Sequence, residues 1–353
     1  MTLRWTDWPA PVLAALRRGV AIPAHPLALD QGRKLDQRRQ RALTRYYLDA
    51  GAGGLAVGVH TTQFAIRDVG LYQPVLELAM RAASDWARTP PIMIAGLSGH
   101  TDQARKEAHF ARDLGYHAGL LSLAAFQGAG EDDLIAHAAT VAQDFPLVGF
   151  YLQPAVGGIV LPVSFWRRFA AIENVVAIKI APFNRYRTLD VVRGVAEAGA
   201  ADRVTLYTGN DDHIVLDLLT PFRVEARGAV HTLRIKGGLL GHWSVWVKKA
   251  VELLARIHAV AQADYVPADL LALDPQVTDA NAAIFDAAND FHGVIAGCHE
   301  ILRRQGLLAG IWCLDPNEGL GPGQKEAIDR VCAAYPHLAD DEFVRANRER
   351  WLE

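Results

Sequence analysis

The stretch Asn174-Val-Val-Ala-Ile-Lys179-Ile-Ala181 predicts a buried strand that contains one charged residue. Its apolar residues are continuous and do not alternate with polar ones, which is typical of a parallel strand covered on both faces. Lysine is almost never fully buried unless it is paired or used. An edge strand or an unseen carboxylate partner would explain Lys179 without any function. The spacing of other residues along the chain favours a functional role.

Similar apolar runs recur along the chain, with amphipathic segments between them. The other runs are Gly19–Leu29, Gly54–Val59, Ile92–Leu97, Ala118–Leu123, Leu147–Leu152, Val204–Thr208 and Ala226–Leu233. Helices are predicted at Asp36–Ala50, Gln73–Arg88, Asp102–Leu114, Asp132–Asp144, Ser164–Ile172, Leu189–Ala198 and His213–Leu219, with an eighth from about His242 to Ile257. Eight strand–helix units predict an α/β protein with a parallel TIM (β/α)8 barrel. A doubly wound open sheet is the alternative, but Pro23–Leu27 lacks the glycine-rich phosphate turn that such a sheet usually has.

Beyond residue 259 the sequence pattern becomes helical. Helices are predicted at Ala280–Ala287, Phe291–Gln305, Gly323–Ala334 and Asp341–Leu352. We therefore expect an N-terminal extension at residues 1–18, the barrel at residues 19–258 and a helical C-terminal appendage at residues 259–353.

Charge and cysteine content limit the classes of partner. The formal net charge of −3 gives no basic surface for nucleic acid and no reason to expect an acidic lipid partner. Cys298, Cys313 and Cys332 are too few and too scattered for a disulfide framework or a zinc site. A reducing, cytoplasmic location is the default expectation.

No membrane or export segment is predicted. Residues 1–10 contain Trp5, Asp7 and Trp8 and lack the apolar core of a signal peptide. The uncharged stretch 145–166 is long enough to span a membrane, but its prolines and its Gly157-Gly158 pair would break a helix. We interpret it as a strand, a loop and the start of a helix.

Lys179 lies near the end of the sixth predicted strand, where active sites form in such barrels. A Schiff base needs a neutral amine, and burial in an apolar barrel lowers the pKa of lysine from its usual value near 10.4. Lys179 is therefore a candidate nucleophile for a ketone or aldehyde.

Two further candidates follow the ends of other strands. Tyr151 ends the fifth predicted strand and could move protons beside a Schiff base, although a packed tyrosine bonded to a carbonyl group is an equally good interpretation. Thr61 and Thr62 follow the second strand and could bind a carboxylate through hydroxyl and backbone N–H groups. Paired threonines are also common in strands and turns.

Together these segments resemble the dihydrodipicolinate synthase / N-acetylneuraminate lyase superfamily. The matching features are Thr61-Thr62, Tyr151 with Pro154, the segment Glu173–Lys179, and Thr208–Asp212, which is similar to the family's Ser-Gly-Asp-Asp. Tyr151 precedes Lys179 by 28 residues (179 − 151), as in that family. The resemblance extends roughly from residue 20 to residue 233, and the C-terminal helices fit the family's usual appendage.

The resemblance implies a class I aldolase or lyase. Lys179 would condense with the keto group of pyruvate or another 2-oxo acid, and Tyr151 would be the acid/base, with Thr61 counted among the catalytic residues. Thr61 and Thr62 would bind the carboxylate, and the Gly209 carbonyl would face the lysine and the substrate. An aldehyde would be the second substrate. No metal and no organic cofactor would be needed because the iminium is the electron sink, and a homodimer or homotetramer would be expected.

The sequence also departs from the family pattern. The family's Gly-Thr-Thr-Gly-Glu reads His60-Thr-Thr-Gln-Phe64 here, and Ser122–Phe126 lacks the relay tyrosine of the synthases. Val156 occupies the position of the arginine that holds the aldehyde's carboxylate in the synthases. Valine cannot replace a bidentate carboxylate site. These changes argue against dihydrodipicolinate synthase activity itself and suggest a less polar aldehyde.

Two other hypotheses stay open at this point. A non-catalytic barrel could bind a 2-oxo acid as a sensor or an assembly subunit, since the relay tyrosine and the arginine are missing. A metal-dependent barrel enzyme could use some of the histidines near strand ends, which are His25, His60, His100 and His231. For His25 and His60 a structural position in the core or a loop is the expected one.

Overall fold

Eight parallel strands form a barrel in the computed structural model, which describes residues 2–353. The barrel strands are β1 Ala21–Pro23, β2 Gly54–Val57, β3 Ile92–Leu97, β4 Ala118–Leu121, β5 Leu147–Tyr151, β6 Val175–Ile180, β7 Thr205–Thr208 and β10 Ile235–Leu240. They are hydrogen-bonded in the order β1-β10-β7-β6-β5-β4-β3-β2. A parallel bridge between Ala24 and Ala56 joins the two ends of this order. The predicted α/β fold with a TIM barrel is confirmed.

Helices surround the barrel and follow its strands. They are α1 Ala10–Arg18, α2 Gln37–Ala50, α3 Tyr72–Trp86, α4 Thr101–Asp113, α5 Glu131–Ala142, α6 Val163–Ala171, α7 Arg185–Glu197, α8 Ile214–Leu219 and α9 Val247–Val260. Apolar faces of the helices pack on the outside of the sheet, while a second apolar cluster fills the barrel interior. Helix α1 contributes Leu16 to that inner cluster, and the Tyr207 hydroxyl on β7 donates to the Leu16 carbonyl.

The eighth barrel strand differs from the prediction. Residues 226–233 belong to an antiparallel hairpin of β8 Phe222–Ala226 and β9 Ala229–Leu233, and the barrel strand is β10. Arg227 and Gly228 both have positive φ, as a tight hairpin turn requires. The sequence pattern did not predict β10 because glycines interrupt its apolar run. A Cβ atom on Gly237 would lie 2.5 Å from the Tyr207 ring. Only glycine fits at that close approach.

Four more helices follow the barrel, which are α10 Ala268–Ile284, α11 Val294–Arg304, α12 Gln324–Ala334 and α13 Asp341–Leu352. Helix α10 begins earlier than the sequence predicts and contains Pro275, a residue that usually breaks a helix. Helix α13 packs on α2 through Trp351, whose ring lies 5.3 Å from that of Tyr46. Among the helices described within residues 2–353, none has the length and apolar composition that a membrane crossing needs. The boundaries expected at residues 18 and 258 stay predictions.

Candidate active site

Lys179 opens onto a cavity at the carboxyl ends of the barrel strands. The side chain lies on β6, is 7% exposed, and its Nζ atom lies 4.5 Å from the centroid of the Phe150 ring. The cavity encloses about 530 Å³ when its solvent-filled mouth is counted. Its polar lining residues are His60, Thr61, Gln153, Lys179 and Asp211. The amine therefore has access to a ligand while its carbon chain is buried.

Asp211 is the main site residue that the sequence reasoning missed. It follows β7, is 5% exposed and lines the same cavity as Lys179. Its Oδ1 atom accepts a hydrogen bond of 2.8 Å from the backbone N–H of His242. Asp211 could have been predicted as a site residue because it belongs to the segment that resembles the family's Ser-Gly-Asp-Asp.

Burial acts in opposite directions on the two charged groups. It lowers the pKa of the Lys179 amine, while the charge of Asp211 raises it again in part. Burial raises the pKa of the Asp211 carboxyl, which the His242 N–H and then the charge of Lys179 lower in part. The two pKa values are thereby brought closer together than in water.

A buried network fixes the loop that presents Asp211. The Asp217 carboxylate accepts hydrogen bonds of 2.8 Å from both the Thr208 hydroxyl and the Asn210 side-chain amide. Arg185 donates to the same carboxylate at 3.2 Å. Asn210 also accepts from the Phe183 N–H at 3.0 Å, which joins the loops after β6 and β7. These bonds hold the wall of the cavity on both sides of Lys179.

Gly209 lies directly against the lysine chain. A Cβ at this position would lie 2.6 Å from the Cε atom of Lys179 and 2.8 Å from the Cβ atom of Ala181. Any larger residue would displace the lysine. Gly209 thus lines the cavity with Lys179, and its predicted contact with substrate stays a prediction.

The two threonines are placed differently. Thr61 lines the cavity, and its hydroxyl donates to the Ala24 carbonyl at 2.8 Å. The Thr62 hydroxyl is fully buried, accepts from the Gly58 and Val59 N–H groups and donates to the His25 carbonyl at 2.6 Å. The structure therefore brings Thr61 to Lys179 but holds the Thr62 hydroxyl inside the loop. Contrary to expectation, the Thr62 hydroxyl is therefore not free to bind the carboxylate of the substrate.

Tyr151 points away from the cavity. Its ring packs on Trp166 of α6 at 5.1 Å between ring centroids, and its hydroxyl bonds with the N–H and carbonyl groups of Leu161. Consecutive strand residues face opposite sides of a sheet. In the register of β5 and β6, Phe150 lies beside Lys179, so Tyr151 faces the helices.

This orientation corrects the acid/base role expected for Tyr151. The hydroxyl cannot reach the Lys179 amine from the outer face of the sheet. Burial also raises the pKa of the Tyr151 phenol above its ordinary value, which makes it less suited to proton exchange. Phe150, which has no proton to exchange, occupies the inner position.

The histidines that were considered as metal ligands are spread apart. His25 is fully buried and bonds with Pro26, Thr44 and Gln40, as expected of a core histidine. His231 bonds to the Ala226 carbonyl within the hairpin. Among residues 2–353, no three His, Cys, Asp or Glu side chains are grouped in a way that could hold a metal ion.

His60 differs from this pattern because it lines the cavity with Lys179. Its ring packs against Phe64 at 5.9 Å between centroids. Burial, and then the charge of Lys179, lower the pKa of the imidazole to about 4. The position that reads glycine in the family motif therefore carries a neutral base here.

Comparison with known proteins identifies the family. The model of the Dihydrodipicolinate synthetase family matches residues 19–230, which is more than half of the chain. The chain belongs to this family. A search among curated proteins gives no significant match.

Several solved structures are similar to this chain in fold. Dihydrodipicolinate synthase from Acinetobacter baumannii, complexed with pyruvate, is 18% identical, with 89% of this chain and 98% of that chain covered and a TM-score of 0.73. The Aquifex aeolicus synthase is 19% identical, with coverages of 91% and 99% and a TM-score of 0.72. N-acetylneuraminate lyase from Fusobacterium nucleatum is 16% identical, with coverages of 91% and 99% and a TM-score of 0.71. At these identities the likeness establishes the fold alone.

Proposed function

We propose that this protein is a Schiff-base lyase or aldolase that acts on pyruvate or another 2-oxo acid, with an aldehyde as the second substrate. The observation that supports this most is the buried Lys179 amine, whose pKa is lowered, at the mouth of the barrel beside Asp211. Membership of a family that includes lyases supports the same reaction class.

Burial of Lys179 favours the neutral amine that the reaction needs. A lysine attacks a carbonyl carbon only when it is unprotonated. In this scheme the Asp211 carboxyl, which lines the same cavity, carries the proton that the amine gives up. The amine then forms an iminium with the keto group. Loss of a C3 proton gives an enamine, which attacks the aldehyde, and the reverse sequence cleaves the product.

The second substrate is proposed to be an aldehyde with little polarity. Phe150, Phe183, Phe285 and Phe291 line the cavity, and the rings of Phe183 and Phe291 meet edge to face at 5.6 Å. Val156 lines it too, at the position where the synthases have a carboxylate-binding arginine. Within the described residues, no arginine is part of the lining. This wall favours burial of an apolar side chain over binding of a second carboxylate.

The test is reduction with sodium borohydride in the presence of pyruvate, followed by intact mass measurement and peptide mapping. We expect a pyruvyl-sized adduct on Lys179 in the natural protein and none in Lys179→Arg. Lys236→Arg is the matched control, because Lys236 is an exposed lysine on β10 and its variant should keep the adduct.

Absence of an adduct with pyruvate and with a panel of 2-oxo acids would overturn the proposal. An adduct that persists in Lys179→Arg would do the same. Binding of a 2-oxo acid without any adduct would favour the non-catalytic alternative. Assembly as a dimer or tetramer and a cytoplasmic location stay predictions.

A further inference from the structure

The proposed reaction needs a group that exchanges protons with the substrate, and the expected tyrosine does not face the cavity. Tyr151 lies on the outer side of β5, and Phe150 occupies the inner side. The Thr61 hydroxyl donates its proton to the Ala24 carbonyl. Besides Lys179 itself, the cavity-lining residues with an acidic or basic side chain are His60 and Asp211.

We propose that His60 is the catalytic residue that carries protons to and from the substrate on Lys179, in the place of the family's tyrosine. This inference rests on the proposed Schiff-base function. Within the described part of the chain, the His60 ring makes no hydrogen bond, and it faces the same cavity as the lysine amine. The nitrogen atoms of the partly exposed His60 ring are therefore available to a ligand in the cavity.

The ring is held in place without using its nitrogen atoms. Its edge-to-face contact with Phe64 restricts its orientation, and the His60 carbonyl accepts the Gln63 N–H at 2.9 Å. The imidazole and the amine are close enough that the lysine charge lowers the pKa of His60. The imidazole is therefore neutral at physiological pH and can accept a proton.

Asp211 is less suited to the same task. One of its carboxylate oxygens is engaged by the His242 N–H, and its charge is linked to that of Lys179. An ionised Asp211 would also repel the carboxylate of the bound 2-oxo acid. We therefore assign Asp211 to the amine and His60 to the substrate.

The proton steps balance without another reactant. The neutral Lys179 amine forms a C–N bond with C2 of the 2-oxo acid. The former carbonyl oxygen takes up one amine proton and the proton held by Asp211 and leaves as water, which gives the iminium with the second amine proton still on nitrogen. One His60 nitrogen accepts a C3 proton, so that the C3–H pair becomes the C2=C3 bond and the C=N pair returns to nitrogen. When the enamine carbon bonds to the aldehyde carbon, the imidazolium gives that proton to the aldehyde oxygen.

The experiment measures proton exchange at C3 of pyruvate in D₂O by proton NMR, together with borohydride trapping. His60→Gln keeps the side-chain volume but cannot exchange protons, and His60→Gly leaves space for free imidazole. His231→Gln is the matched control, since His231 is a half-buried imidazole in the hairpin.

In both His60 variants we expect the Lys179 adduct to form, more slowly, and the exchange rate to fall by about 10²- to 10⁴-fold. Added imidazole should restore exchange in His60→Gly but not in His60→Gln. His231→Gln should exchange at the natural rate.

Exchange at the natural rate in both His60 variants would overturn the inference. So would slow exchange in His60→Gly that imidazole does not restore, which would indicate a structural role. Loss of the adduct in both variants with unchanged circular dichroism would assign His60 to imine formation instead. A natural protein that forms no adduct would contradict the proposed function itself, and the two failures are thereby distinguishable.

Discussion

At the scale of single residues, the chemistry depends on how two buried charges share a proton. A lone buried lysine loses its proton because its charged form is poorly solvated. Asp211 opposes that loss, since an ionised carboxylate stabilises the ammonium form. The pair therefore sets the pH at which the Lys179 amine becomes a nucleophile.

Replacing Asp211 by Asn should shift imine formation to lower pH. Loss of the carboxylate removes the interaction that raises the pKa of Lys179, so this pKa falls and the neutral amine is available at lower pH. The measurement is the rate of borohydride-trappable adduct as a function of pH. Asp212→Asn is the control, since Asp212 pairs with Arg185 at 3.2 Å. This variant should change the pH midpoint of adduct formation little. A midpoint that stays in place or rises in Asp211→Asn would contradict this account.

Gly209→Ala should slow adduct formation on the order of tenfold, because overpacking of this kind costs about 1–3 kcal/mol. The added methyl group would occupy the position 2.6 Å from the Lys179 Cε atom. Gly319→Ala is the matched control, as a Cβ there meets no atom within 4 Å. Equal adduct rates in the two variants would show that the lysine chain does not depend on this contact.

At the scale of elements, the orientation of β5 decides which aromatic residue meets the lysine. The register between β5 and β6 shifts between Leu147 and Val148, and Phe150 then pairs with Lys179. Strand alternation places Tyr151 against α6. A single strand thus supplies an apolar wall to the cavity on one face and an anchor for a helix on the other.

Tyr151→Phe should therefore leave trapping and C3 exchange intact while lowering the free energy of unfolding by about 1–3 kcal/mol. The Leu161 N–H would lose its buried partner, which lies 3.1 Å away. Urea unfolding measures the stability, and the NMR exchange assay measures the activity. A loss of exchange with unchanged stability would restore the acid/base role of Tyr151.

At the scale of the whole molecule, the C-terminal appendage helps to close the barrel mouth. Phe285, Phe291 and Val294 line the cavity, so the site is completed by residues beyond the last barrel strand. The Gln63 side chain accepts the Leu314 N–H at 2.6 Å, which ties the appendage to the loop after β2. We propose that barrel and appendage unfold as one unit.

Trp351→Ala tests this coupling. Trp351 is fully buried between α13 and α2, and removal of such a side chain costs about 3–5 kcal/mol. Tyr265→Ala is the control, because this ring is 71% exposed and its loss should change stability by about 0.5 kcal/mol or less. Chemical denaturation followed by two probes should show one transition at lower denaturant. Two separate transitions would indicate that the appendage unfolds independently.

Much of the fold could be predicted because it depends on local patterns. Continuous apolar runs and helical periodicity can be recognised directly in the sequence. Seven of the eight barrel strands overlap the apolar runs from which they were predicted. The eighth was assigned to Ala226–Leu233 because β10 contains two glycines and a lysine. The two glycines are needed because their positions pack closely against Tyr207 and Trp243, and no local sequence pattern indicates such contacts.

The parallel barrel and the place of Lys179 on its sixth strand could be predicted from the residues alone, because burial on both faces of a strand leaves a continuous apolar run. The side chains that surround the amine could not be predicted, because they depend on strand pairing and barrel closure. Phe150 and Tyr151 are both compatible with either face of β5, and the hydrogen-bond register with β6 selects between them. Asp211 reaches the cavity because β7 pairs directly with β6. His60 follows β2, at the far end of the strand order, and only closure of the barrel brings it to the same cavity.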